Sequence, residues 1–96
     1  MPKTILEADA AAALAFRALA FIAGDDDRLG RFIALTGIEP GAIRALAPER
    51  SFQAAVLEHL LADESMLLQF CENEAIDAAL PGAALRLLAG SCRTDP

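Results

Sequence analysis

The sequence predicts an all-α fold, and three observations carry that expectation. Residues that favour strands are nearly missing: Val56 is the only valine, and Trp and Tyr are absent. Alanine, the best helix former, supplies much of a hydrophobic share that reaches 55%. Helix starts and stops are also punctuated by caps, glycines and prolines at regular intervals. Ninety-six residues suffice for one domain and not for two. The expected unit is a single helical domain over residues 1–90, followed by a flexible polar tail at 91–96.

Thr4 and Glu7 form a T-x-x-E capping box for the first helix, and Gly24 closes it. Leu14, Phe16, Leu19, Phe21 and Ile22 point in nearly every direction around this helix. It is therefore expected at the centre of the bundle, with the second, fourth and fifth helices around it. One of Asp25, Asp26 and Asp27 caps the second helix, and the other two suit the positive end of its dipole. Leu29, Phe32, Ile33 and Leu35 give that helix an inward face, with Arg28 and Arg31 outward. Gly37 followed by Ile38 ends it. Pro40 opens a short third helix to about residue 47, which buries Ile43 and Leu46.

Pro48 closes the third helix and Ser51 can cap the fourth, whose Val56, Leu57, Leu60 and Leu61 cluster on one side. Glu58 and His59 are expected to face away. Asp63-Glu64-Ser65 reads as the start of a fifth helix to about residue 74, and one continuous helix over 51–74 is the alternative. The last helix starts near Asp77 or Pro81 and ends at Gly90, packing Leu85 and Leu88. The predicted architecture is a compact bundle of five or six short helices around the N-terminal one. Its core includes Leu14, Phe21, Phe32, Ile33, Ile43, Leu57, Leu60 and Leu67. A weak internal pseudo-repeat is also visible. Phe21-Ile22-Ala23, Phe32 and Pro40-Gly41-Ala42 recur in order as Leu60-Leu61-Ala62, Phe70 and Pro81-Gly82-Ala83.

Fourteen acidic residues against eight basic ones give a net charge of −6. That field repels phosphate backbones and anionic lipid and suits solubility or a basic protein partner. The apolar run Ala10–Ala23 is too short for a bilayer span and carries Arg17 at its centre. Glu7 and Asp9 stand where an export signal would be positive. The expectation is a cytoplasmic protein with no membrane association. Cys71 and Cys92 are expected to be reduced and unlinked.

Constellations of chemical interest each have a plainer account. Asp25, Asp27 and Gly30 match three positions of a calcium loop, but Leu29 replaces the fifth-position ligand and Thr36 the bidentate Glu. Helix capping explains them better. His59 and Asp63 can share a helix face but lack a third metal ligand, so Arg50, Glu58 and His59 read as a solvated face. Glu72, Glu74 and Asp77 are like charges with no basic or nucleophilic partner in a recognisable frame. Residues 32–46 have the buried pattern of a helix-turn-helix, with Gly37 in the turn. The exposed side offers Glu39, Pro40, Gly41, Arg44 and Ala45, which is poor equipment for reading bases. No catalytic, metal or cofactor-binding residue is assigned, no cofactor is expected, and an enzyme is not the class predicted.

The runs Ala18-Leu19-Ala20-Phe21-Ile22-Ala23, Arg31-Phe32-Ile33-Ala34-Leu35-Thr36-Gly37-Ile38, Ala55-Val56-Leu57 and Leu60-Leu61-Ala62-Asp63-Glu64 together resemble one family. It is that of the small helical proteins of alphaproteobacteria grouped as domain of unknown function 3572. The resemblance spans about residues 8–90 and rests on punctuation and core positions, so it implies no activity. It also implies a Ser or Asp ahead of Pro40, where this chain has Glu39, a poorer cap.

The leading expectation is a non-enzymatic protein–protein interaction or small regulatory or adaptor module. A helix-turn-helix nucleic-acid binder is the first alternative, and a small-molecule-binding bundle the second. A homodimer is expected to cover leftover apolar surface on the last helix, with Ala83, Ala84 and Leu87 as candidate interface residues. An unknown protein partner is the other candidate, and nucleic acid is not expected.

Overall fold

A computed structural model of the chain describes residues 8–92. Six α-helices and one 3-10 turn run through them: α1 Ala8–Ala23, α2 Asp26–Thr36, the turn Pro40–Ala42, α3 Ile43–Leu46, α4 Arg50–Ala62, α5 Glu64–Glu74 and α6 Leu80–Cys92. No strand occurs among the described residues, and the chain forms the all-α bundle that its composition predicts. The Thr4–Glu7 capping box, the Cys92 side chain and the tail from residue 93 lie outside the described residues.

The closest packing is among α1, α4 and α6. Ala11, Ala18 and Ile22 of α1, Val56, Leu57 and Leu60 of α4, and Ala84 and Leu88 of α6 are all fully buried. Alanines on α1 and α6 let the three backbones approach, so the larger side chains of α4 fill the space between them. Each fully buried Leu or Ile contributes about 1.5–3 kcal/mol. The neighbours expected for α1 were α2, α4 and α5. Both α2 and α4 do pack on α1, α6 packs along it as well, and α5 meets it through an edge-on pair of Phe21 and Phe70, 5.4 Å between centroids, and through Arg17 and Glu74.

Of the eight expected core residues, Leu14, Phe32, Leu57 and Leu60 are buried, while Phe21, Ile33, Ile43 and Leu67 are half-buried. Ile22, Phe52 and Phe70 are further large residues of the interior, beside Leu19, Val56, Met66 and Leu88. The repeated phenylalanines have a structural counterpart. Phe32 of α2 packs on Phe52 and His59 of α4, and Phe70 of α5 packs on Phe21 of α1. Each half of the chain thus places its aromatic anchor on the long helix of the other half.

Most of the punctuation acts as predicted. Asp25 caps α2 by accepting from Arg28 N at 3.3 Å. Gly37 adopts φ 74°, and its N–H donates to Ile33 O at 2.8 Å, closing α2 in the left-handed conformation that glycine tolerates. Asp63, with φ −122° and ψ 99°, breaks residues 50–74 into two helices and caps the second through Met66 N.

Three expectations need correcting. Ser51 lies inside α4, whose N-cap is Glu49 with no side-chain cap hydrogen bond. Gly90 does not end α6, which continues to Cys92. A helical glycine costs only about 1 kcal/mol, which the burial of Ala84 and Leu88 outweighs. Leu35 is 71% exposed, on the α2 flank it shares with Arg31 one turn earlier, while α2 meets the body through buried Phe32 and through Arg28.

Ala75 ends α5 at φ 57° and ψ 47°, a left-handed cap made by a residue with a Cβ. That conformation costs an L-residue about 1–2 kcal/mol, partly offset by the lower entropy of the unfolded alanine chain. Ala75→Gly should therefore raise the unfolding free energy by about 0.5–1 kcal/mol. A urea titration in which the variant melts earlier than wild type would contradict this.

Candidate functional site

The outer face of α1 departs most from an ordinary solvated helix surface. Asp9, Ala13, Phe16 and Ala20 recur at four- and three-residue intervals and all are exposed, as are Ala10, Arg17 and Ala23 beside them. Asp9 and Arg17 are the only charges in a helix of 16 residues. Phe16 is 61% exposed. It stands at a groove of about 350 Å³ whose other walls are Ala12, Ala13, Ala47, Pro48 and Gln53. Gln53 is buried and holds the corner by donating from Nε2 to Ala47 O at 3.0 Å, which fixes the Ala47–Pro48 wall. The groove therefore belongs to the rigid framework, and almost all its lining is apolar.

Leu35 and Leu68 are the other strongly exposed leucines, at 71% and 51%. Leu68 stands between Glu64 and Glu72, one turn away on either side, and Leu35 beside Arg31. Neither borders one of the described grooves. Single exposed leucines of this kind are normal on a monomer surface. Phe16 differs because its neighbours are apolar too.

A second, polar cleft of about 280 Å³ opens between α2, the end of α4 and α5, lined by Asp27, Arg28, Arg31, His59, Asp63, Ser65, Met66 and Gln69. Arg28 organises it. Its guanidinium lies over the Phe21 ring at 4.0 Å, donates to Phe21 O at 3.3 Å and to Gln69 Oε1 at 3.4 Å, so α1, α2 and α5 converge on one cation. Arg31 faces Asp63 at 3.8 Å.

His59 was expected on a solvated face and is half-buried instead. It follows Phe52 by seven residues, two helical turns, so both rings lie on the same edge of α4 and both pack on Phe32. Its Nε2 is buried with no hydrogen-bond partner. Burial, and then the Arg31 cation, push its pKa below 6.5, with Asp63 opposing. The fold thus favours neutral imidazole, and the unfolded chain holds the proton to higher pH. The stabilisation is full above pH 6.5 and is lost as pH falls through the lowered folded value. His59 is the only histidine, so its NMR titration is unambiguous. The midpoint should lie below 6.5 and rise towards it on unfolding. A native midpoint at or above 6.5 would refute the burial argument.

Other candidate residues disperse. Glu74 binds Arg17 at 2.8 Å, Asp77 Oδ1 accepts from Ala79 N at 2.8 Å, and Glu72 lies exposed. Cys71 is a free, buried thiol whose pKa is pushed up by burial and by Asp77, which makes it a poor nucleophile. Among the described residues no group of three His, Cys, Asp or Glu side chains is placed to hold a metal ion. Among the described residues no helix is long and apolar enough to cross a membrane. The helix-turn-helix segment breaks after Gly37 into the turn Pro40–Ala42 and the four-residue α3, and Glu39 provides no side-chain cap.

Across this frame, a family described as a protein of unknown function (DUF3572) matches residues 8–91. The chain belongs to that family. No curated protein and no solved structure matches it. The matched stretch of this DUF3572 member contains both surface features and the whole core.

The residues expected to form an interface on α6 are placed differently. Ala84 is fully buried within the chain, because α6 packs on both α1 and α4, so it has no surface to offer a partner. Ala83 is half-buried and Leu87 is 36% exposed. The stronger apolar surface lies on α1. Sequence reasoning missed it by taking the helix as wrapped on nearly every side, although the spacing of Asp9, Ala13, Phe16 and Ala20 marks an outward stripe.

Proposed function

We propose that this chain is a non-enzymatic protein–protein interaction module of the cytoplasm, docking its partner on the α1 face around Phe16. The observation that carries the reading is a phenylalanine 61% exposed beside a rigid apolar groove of about 350 Å³. Clustered apolar surface of this kind marks interaction sites, and an aromatic anchor at its centre has the character of a binding hot spot. The catalytic alternative has little support, since the one histidine sits against Phe32 and the one described thiol is buried. Nucleic-acid reading has little support either, because α3 has four residues and the chain carries a net charge of −6.

A second reading is favoured by a specific observation, the orphan Nε2 of His59 beside the Arg28–Asp63 cleft. It is a small-molecule site. Affinity capture from the native host separates the two. Wild type and Leu68→Asp should retain the same partner protein, and Phe16→Asp should lose it. A partner retained equally by Phe16→Asp would refute the proposed surface.

A further inference from the structure

The α1 face is complementary to itself. We infer that its occupant is a second copy of this chain, paired antiparallel along α1 about a two-fold axis at Ala13. This rests on the reading of the Phe16 face as a docking surface.

The argument is one of register. In an antiparallel pair centred on Ala13, residue 9 stands level with residue 17 of the second copy. The only two charges of α1, Asp9 and Arg17, are therefore brought together twice, with opposite sign each time. Asp9 faces Arg50 of its own chain at 3.8 Å with its side chain 98% exposed, and Arg17 is 50% exposed, so each keeps room for a second partner across the seam. Arg17 keeps Glu74 as its intrachain partner at 2.8 Å, which holds the guanidinium in place for a second carboxylate. The same register sets Phe16 level with Ala10 of the second copy, a large side chain against a small one. A parallel pair in register would instead stack Asp9 on Asp9 and Arg17 on Arg17. The charge pattern therefore selects both the orientation and the occupant. A foreign helix would have no reason to match a spacing of eight residues centred on Ala13.

The Asp25–Asp27 run and the His59 cleft lie on other faces and take no part. The face is about 21 Å long, so the dimer is a modest one, populated at high micromolar concentration.

Sedimentation equilibrium on the full chain tests this, with circular dichroism confirming that each variant folds. Wild type should approach twice its 10.1 kDa mass at high micromolar concentration. Phe16→Asp and Ala13→Glu, both at exposed positions, should weaken self-association at least tenfold. Asp9→Arg should weaken it by setting like charges level, and higher salt should rescue that variant in part. A wild-type mass that stays at 10.1 kDa overturns the self-pairing. In that case loss of a foreign partner by Phe16→Asp would still uphold the surface. A dimer indifferent to Phe16→Asp and Ala13→Glu overturns the pairing geometry, and retention of every partner by Phe16→Asp overturns the surface as well.

Discussion

Phe32→Ala should lower the unfolding free energy by about 3–5 kcal/mol, the range for deleting a fully enclosed phenylalanine. Phe32 has no exposed surface and packs edge-on against Phe52 at 6.1 Å and His59 at 5.1 Å. It is the apolar anchor of α2, whose other tertiary contacts are made by Arg28 on Phe21 and Gln69 and by Arg31 facing Asp63. Its loss therefore leaves a cavity and removes two aromatic contacts, each worth about 0.5–1.5 kcal/mol beyond the area buried. A domain of this size has about 5–15 kcal/mol in total, so the variant should be marginal at 37 °C. Urea melts read the effect through the midpoint, provided the slope is unchanged. The same variant should move the His59 titration upward, because the ring loses the cover that keeps it neutral. A loss below about 1 kcal/mol would mean that α2 is held by something other than Phe32.

The second large effect lies at Leu60, fully buried in the helix that packs on both α1 and α6. Leu60→Ala should cost about 2–5 kcal/mol, at the upper end if the three helices cannot close on the cavity. The buried alanines of α1 and α6 argue for the upper end, since helices that pack through alanine have little side-chain slack with which to fill a cavity. Leu68→Ala, half exposed in α5, is the control and should change stability by less than about 0.5 kcal/mol. Equal losses at the two positions would contradict the three-helix core.

Several elements were legible because their causes are local. The Asp25 cap, the Gly37 terminator and the Asp63 break each depend on residues within one turn, and the structure places each where its chemistry asks. Stripe assignments succeeded at the centre of a broad buried face, as at Val56, Leu57 and Leu60, in the helix that packs on both α1 and α6. They failed at edges. Leu35 and His59 both lie beside a buried arc, and tertiary packing, which periodicity does not encode, decided which edge was covered. Leu35 ended outside because α2 touches the body along a narrow stripe through Phe32. His59 ended half-buried because Phe32 came across to meet Phe52, two turns earlier on the same edge.

The misreading of the exposed α1 face has the same origin. Fourteen of the sixteen residues in α1 are apolar and they cover nearly every azimuth, which suggests complete enclosure. Alanine, however, is neutral enough to line a solvent face, and Ala10, Ala13, Ala20 and Ala23 do so. The large residues divide more sharply: Leu14, Leu19 and Ile22 point in, and Phe16 alone points fully out. On α6 the error ran the other way. Ala83-Ala84 was taken as a surface for a second chain, and Ala84 instead lets α6 settle within its own.

The measurement that tests the central claim most directly is site-specific photo-cross-linking in living cells of the native host. A photoreactive phenylalanine analogue is placed in turn at positions 16, 35 and 68, all strongly exposed and all apolar in the wild type. If the α1 face is the docking surface, position 16 should yield a discrete cross-linked species, and positions 35 and 68 only background. Cross-links of equal strength from position 35 or 68, or none from position 16, would contradict the account.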